Sequence, residues 1–471
     1  MAFTRRNFLA GCSAAIAALA GGRLTKMAFA NPYRQLTDEV LVVIFLRGGM
    51  DGLSLVAPYN DQNYNDLRPN IRLPAPGSGA NAALDLDGQF GCHAMAAPLR
   101  DLYQQQKLAI VHACGLTSDT RSHFDAMDYM ERGTPSSRSV ASGWLTRHLV
   151  SGGASGALPA IAATSLLPTS FLSSTQAVAM TDPDDFGLDG HWRWTDGQRL
   201  AMRHLYNGDS WLHQAGEQAL NALDIVEVAN PGAYVPEFGA VYPTNSFGTA
   251  LMTIAQMIKL DVGLTVAAAD YGGWDTHEYQ GDAGAGYFAG QIQTLANGMA
   301  ALYTDLTNYT QRVTIAVMSE FGRRLRENGN RGTDHGHGNV MLLLGGHVNG
   351  GLVYAAPWPG LDPGNLDNGT DLAITTDYRR ILSEILVRRM GNPNLGEIFP
   401  GYLNYTPLGV VQGPDLPVNF GPTHVEQMQN AVNCFANGDV SGACATYDLN
   451  NDGQITVADL QILADRWTMT P

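Results

Sequence analysis

Glu39-Val40-Leu41-Val42-Val43-Ile44-Phe45-Leu46 decides the fold. Beyond Glu39 the run has no polar alternation, so a strand here must be covered on both faces, as in a parallel sheet. Leu108–Cys114 (LAIVHAC), Val262–Ala269 (VGLTVAAA), Val313–Met318 (VTIAVM) and Val340–Leu344 (VMLLL) read the same way. Helical periodicity separates them at Met95–Gln106, Ser122–Glu131, Gly248–Leu260, Tyr287–Tyr309 and Asp377–Arg389. Strands alternating with helices predict an α/β fold, a mainly parallel sheet with helices on both faces. Such a sheet binds ligands beyond the carboxyl ends of its strands.

Polar residues gather where that rule points. The first strand runs into Arg47-Gly48-Gly49-Met50-Asp51-Gly52, and the second into Thr117–Asp125, with Ser122 opening a helix. The third leads to Gly273-Trp274-Asp275-Thr276-His277, and the fourth ends at Ser319-Glu320-Phe321-Gly322-Arg323. Thr333-Asp334-His335-Gly336-His337-Gly338 precedes the fifth. These clusters are expected to converge on one site.

Histidines and carboxylates without cysteine form the ligand set of a zinc or manganese hydrolase. Asp275 and His277 are candidates for one ion, and Glu320 with Asp334 and His335 or His337 for a second. Two such ions would clamp the attacking and leaving oxygens of an in-line displacement. Ser122 sits at a helix start, where developing negative charge is stabilised. The same serine, three residues before Asp125, also fits a plain N-cap. His123 and Asp125 are two apart and do not share a helix face. Gly48-Gly49 lacks both the GxGxxG series and a P-loop lysine, which excludes nucleotide binding by those motifs, and no GxSxG elbow marks a serine esterase.

The two ends of the chain carry their own signals. Thr4-Arg5-Arg6-Asn7-Phe8-Leu9 precedes an Ala-rich apolar run and a small-residue site at Ala28-Phe29-Ala30. This pattern predicts a twin-arginine signal over 1–30 and a periplasmic or extracellular mature protein. Leu9-Ala10-Gly11-Cys12 imitates a lipidation box, but it stands before any apolar region is complete. The apolar run is shorter than the ~20 residues of a membrane span, and no other segment predicts one after processing. Loss of Arg5, Arg6, Arg23 and Lys26 takes the 28 basic residues to 24 against 44 acidic ones. That balance offers no basic surface for nucleic acid.

At the other end, Asp448-Leu449-Asn450-Asn451-Asp452-Gly453-Gln454-Ile455-Thr456-Val457-Ala458-Asp459 fits a twelve-residue calcium loop. Asp448, Asn450 and Asp452 fall at positions 1, 3 and 5, the Gln454 carbonyl at position 7, and Asp459 closes the loop. The predicted ion is Ca2+. Val425, Met428, Val432 and Phe435 give an entering helix an apolar face, and Val457, Leu460, Leu463 and Trp467 do so for the exit helix. Of four cysteines left after processing, Cys434 and Cys444 would close a short loop, and a second pairing of Cys92 with Cys114 stays open. Pro and Gly interrupt the pattern at Thr406–Gly421. The organisation expected is therefore a signal at 1–30, one large domain at 31–405, a linker at 406–423 and a small α-helical calcium-loop module at 424–471.

Several of these stretches also carry a resemblance. FLRGGMDGLSLV (45–56), SHFDAMDYMERG (122–133), GWDTHE (273–278), MSEFGRR (318–324), DHGHGNVMLLLGG (334–346) and TTDYRRILSEIL (375–386) together resemble the exported domain-of-unknown-function family 1501. That family is similar to the alkaline phosphatase and sulfatase superfamily, which implies an alkaline-phosphatase-like fold and a metal-dependent hydrolase. The resemblance would make Asp51 the first-strand metal carboxylate and Ser122, or Thr120, the nucleophile. Asp275 and His277 would be a metal pair, Glu320 the next acidic group and His335 or His337 the last histidine. Arg121 or Arg323 would steady the anionic group of a phosphate or sulfate ester. Glu320 is followed by Phe321 where the superfamily has histidine, so a non-catalytic binding or assembly protein for an anionic glycan or protein partner is the alternative. The C-terminal loop, ending in Asp, resembles half a dockerin, whose partner would be a cohesin-like scaffold.

Overall fold

The structure, a computed structural model, describes residues 39–468 apart from 192, 230, 231, 233, 421–423, 439, 441–443, 445, 446 and 450–452. The signal segment 1–30 with Cys12, and Asn450 and Asp452 of the calcium loop, lie outside the described residues.

In chain order the strands are β1 (Val40–Leu46), β2 (Val56–Ala57), β3 (Leu84–Asp85), β4 (Gly91–Cys92), β5 (Leu108–Gly115) and β6 (Ala160–Ala162). They continue with β7 (Ala177–Ala179), β8 (Val266–Tyr271), β9 (Val313–Met318), β10 (Asn339–Gly345), β11 (Val353–Tyr354) and β12 (Thr376–Asp377). One sheet runs β11-β5-β10-β9-β1-β8-β6-β7, with β12 also on β5, and β2-β4-β3 form a small second sheet. The large sheet is mostly parallel, and β10 alone runs against its neighbours β5 and β9.

β1 shows why the sheet is central. Its residues point alternately to opposite faces, and both faces are dry. Val40, Val42, Ile44 and Leu46 pack with Ile254, Ile292 and Met299. Leu41, Val43 and Phe45 pack with Trp144, Ile381 and Ile385. The helices Ser246–Lys259 and Tyr287–Asp305 therefore cover one face, and Trp144–Gly152 and Tyr378–Arg388 the other.

The strand expected at Val262–Ala269 starts only at Val266. Asp261 (φ 55°) and Gly263 (φ 77°) take left-handed backbone there, which cannot continue an extended strand. The stretch expected as a linker lies against the body as far as Phe420: Val410 and Val411 are buried, and Leu416, Val418 and Phe420 pack on the second core. Its backbone is captured by the buried Glu384 carboxylate, which accepts from the N–H groups of Leu408, Gly409 and Val411. Beyond it stand the helices His424–Asn437 and Val457–Thr468. Cys434 and Cys444 form a disulfide, whereas Cys92 and Cys114 are free and buried. No helix among the described residues is long and apolar enough to cross a membrane.

Candidate metal centre

β1, β5, β8 and β9 share one direction, so their carboxyl ends meet at one edge of the sheet. The antiparallel course of β10 brings the segment that enters it, Asp334–Gly338, to that same edge. Two glycines let the loops close. Gly48 has φ 119°, and a Cβ there would stand 2.7 Å from the Asp275 nitrogen. At Gly336 a Cβ would meet the Arg323 carbonyl carbon at 2.3 Å.

Three imidazoles converge at this edge on one carboxylate oxygen. Nε2 of His277, His335 and His123 lies 3.1, 3.3 and 3.4 Å from Asp275 Oδ1. Each ring has an acceptor at its other nitrogen. Glu320 Oε1 is 2.7 Å from His123 Nδ1, the Arg121 carbonyl 2.7 Å from His335 Nδ1, and Asp334 Oδ1 3.2 Å from His277 Nδ1. The shorter contact at Nδ1 assigns the ring proton to that nitrogen in His123 and His335, so their Nε2 atoms present lone pairs, whereas His277 has a carboxylate oxygen at each nitrogen, 3.2 Å from Nδ1 and 3.1 Å from Nε2. The Nε2 atoms of His277 and His335 face each other at 2.9 Å, and His123 Nε2 is buried without a hydrogen-bond partner. Lone pairs and a carboxylate turned on one another repel unless positive charge lies between them. Among the described residues, His123, Asp275 and His335 have donor atoms close enough together to share one ion. Imidazole nitrogen with one carboxylate is a donor set for a first-row transition metal, and acceptors behind each histidine are the usual outer support of such a centre.

The electrostatics favour the ligating forms of Asp275 and His335. Burial works against the Asp275 charge, but the Arg323 hydrogen bond at 2.6 Å holds its carboxyl down to about 2. Burial lowers His335, keeping it neutral. His123 is raised, chiefly by its hydrogen bond to Glu320, which outweighs burial. Glu320 is fully buried; burial opposes its charge, yet His123 and the backbone N–H groups of Gly48 and Gly49 hold it ionised.

The residues expected from sequence fall into distinct places. Asp275, His277 and His335 are brought together. Glu320 and Asp334 stand one bond further out, behind His123 and His277. Asp51 is outside the cluster: it is wholly buried, paired with Arg68 at 2.6 Å, and bonded to Ser54 Oγ at 2.6 Å and Gln280 Nε2 at 2.7 Å. Arg323 is buried, its guanidinium engaged by the carbonyls of Gly48, Gly49, Trp274 and Thr333 as well as by Asp275. Arg121 and His337 belong to a neighbouring cluster with Asp119, Asp367 and Asp371. Ser122 is exposed and caps the helix His123–Arg132, its Oγ accepting from the Asp125 N–H at 3.4 Å, while Thr120 Oγ1 accepts from the Ser122 N–H at 3.2 Å.

His123 is the residue that sequence reasoning missed. The available signal is its place: first in a helix that follows a central strand, directly after the N-cap Ser122.

In the C-terminal loop, Asp448 Oδ2 accepts from the Gly453 N–H at 2.9 Å, with Gly453 at φ 80°. Buried Asp459 accepts from the N–H groups of Leu449 and Thr456, both at 2.8 Å. Gln454 is exposed.

Residues 218–372 match the model of a family described as a protein of unknown function (DUF1501). The match supports the family resemblance and spans Asp275, His277, Glu320, Arg323, Asp334, His335 and His337. No curated protein matches the chain.

Proposed function

We propose that this chain is an exported, metal-dependent hydrolase of phosphate or sulfate esters, with one cation held by His123, Asp275 and His335 and flanked by His277. The observation that carries the reading is the meeting of three imidazole Nε2 atoms around Asp275 Oδ1. Zn2+ or Mn2+ fits that donor set, and when bound it would supply the charge that polarises an ester oxygen. Asp275, half exposed, leaves the centre open to solvent and substrate. Ser122, exposed at the positive end of the helix His123–Arg132, is the nucleophile of this reading. Arg323 acts on Asp275 and not on the ester. The twin-arginine start puts the working site in the periplasm or outside the cell, and the loop Asp448–Asp459 holds Ca2+ in a module suited to docking.

The test is hydrolysis across a panel of phosphate and sulfate esters by the mature chain after zinc or manganese loading. Joint Asp275→Ala and His335→Ala substitution is expected to abolish it, and turnover that survives the pair contradicts the proposal.

One observation favours the alternative of a binding protein. Arg121 and Arg323 are both spent on the protein's own acceptors, which leaves neither to meet an anionic ester. That reading predicts tight binding of an anionic glycan or protein partner and no turnover on any ester of the panel.

A further inference from the structure

Asp119, His337 and Asp367 present donor atoms within 4.8 Å of one another, a spacing that fits a metal. Arg121 already fills that role. Its Nη1 faces His337 Nδ1 at 3.2 Å and donates to the Asp119 carbonyl at 3.0 Å. A guanidinium is only a donor, so His337 Nδ1 is the acceptor, the ring proton sits on Nε2, and no bare imidazole nitrogen is left for an ion. Nη2 of Arg121 binds Asp367 Oδ2 and Asp371 Oδ2, each at 2.8 Å, and Nε reaches Asp371 Oδ2 at 3.2 Å. Every nitrogen of this side chain is tied down. Asp371, only 2 % exposed, anchors it from a backbone bridge with Arg324.

The main chain of the same residue serves the metal centre: the Arg121 carbonyl takes the Nδ1 proton of His335 at 2.7 Å. We propose that Arg121 is a positioning residue, and that Asp371 and Asp367, by clamping its side chain, fix the carbonyl that aims His335 at the cation. The inference rests on the metal-centre reading above. It assigns the two aspartates an effect on a site they do not touch. Substituting the Arg121 side chain leaves the acting carbonyl in place, and loss of its positive charge would by itself favour a cation, so weakened binding reports the anchorage.

The experiment titrates Co2+ into the mature, full-length chain, reading affinity and the visible ligand-field spectrum. Wild type is compared with Arg121→Ala, Arg121→Lys, Asp367→Asn and, as a direct ligand control, His335→Ala. Outer-shell partners typically set metal affinity by about 10–100-fold. Arg121→Ala is expected to weaken Co2+ by about that factor and to alter the spectrum. Arg121→Lys, which retains a charge for Asp371, is expected to restore part of both. The milder Asp367→Asn guards against a failure to fold, and it should move the spectrum in the same sense. Wild-type affinity and spectrum in both Arg121→Ala and Asp367→Asn, with His335→Ala impaired, overturn this inference alone. Wild-type protein that binds no Co2+ overturns the metal-centre reading and this inference with it.

Discussion

His123 meets opposite demands at its two nitrogens. Glu320 fixes the proton on Nδ1, and the price of that order is a bare Nε2 buried toward Asp275 and His335. Replacing Glu320 with Gln puts an amide where a charged acceptor held the ring, so zinc affinity is expected to fall about 10–100-fold. Competition against a chelator measures it, and undiminished affinity contradicts the role given to Glu320. Ser122 has two candidate roles, and they separate numerically. As a helix cap its loss costs about 1 kcal/mol of stability. As the nucleophile its loss drops turnover by a factor on the order of a thousand or more. Ser122→Ala is predicted to do both; a variant that loses only stability is a cap and nothing else. His123 was hard to read because its partners Glu320 and Asp275 lie far along the chain, while its near neighbour Asp125 points elsewhere. Asp51 misled for the same reason. A carboxylate after a strand reads as a ligand until Arg68 and Gln280 are seen to close around it.

The elements that sequence exposed best are those buried on both faces. β1, β5, β9 and β10 end within a residue of the apolar runs that predict them, and the helix Tyr378–Arg388 keeps its expected place. Three-residue strands such as Ala160–Ala162 carry too little pattern to be read, and the reversed direction of β10 has no local signature, because direction is set by the connection. That reversal nevertheless builds the site, since it delivers His335 to the strand ends. The delivery depends on Gly336 passing against the Arg323 backbone. Because the obstructing atoms are main chain and cannot swing away, Gly336→Ala is expected to cost roughly 1–3 kcal/mol. A denaturant midpoint equal to wild type contradicts that close approach.

Over the whole molecule, two further histidines set the response to acid. His112 is fully buried, with Nδ1 accepting from the Ala113 N–H and Nε2 donating to the Val56 carbonyl at 2.9 Å each. His93 is buried and accepts from the Met95 N–H at 3.1 Å. Burial pushes both down to about 4. Unfolded histidine titrates near 6.5, so between these values the unfolded chain binds protons that the folded one refuses. Stability therefore falls as pH drops from about 6.5 toward 4, by at most ~3 kcal/mol per histidine. His123, raised by Glu320, acts in the opposite sense: its contribution is full below 6.5 and is lost above its own raised value. The two buried histidines outweigh it, so denaturation midpoints at pH 5 are expected below those at pH 7. A flat or inverted profile contradicts this. The domain plan from sequence missed the packing of Thr406–Phe420 because Pro and Gly there read as linker, whereas Glu384 gathers its backbone from a helix earlier in the chain.

Elemental analysis of the mature chain after zinc and manganese reconstitution, beside the joint Asp275→Ala and His335→Ala variant, tests the central claim most directly. The account predicts about one equivalent of transition metal in the wild type and none in the variant, with calcium in the C-terminal loop unchanged between them. A wild type that retains no transition metal, or a variant that retains as much as the wild type, contradicts it.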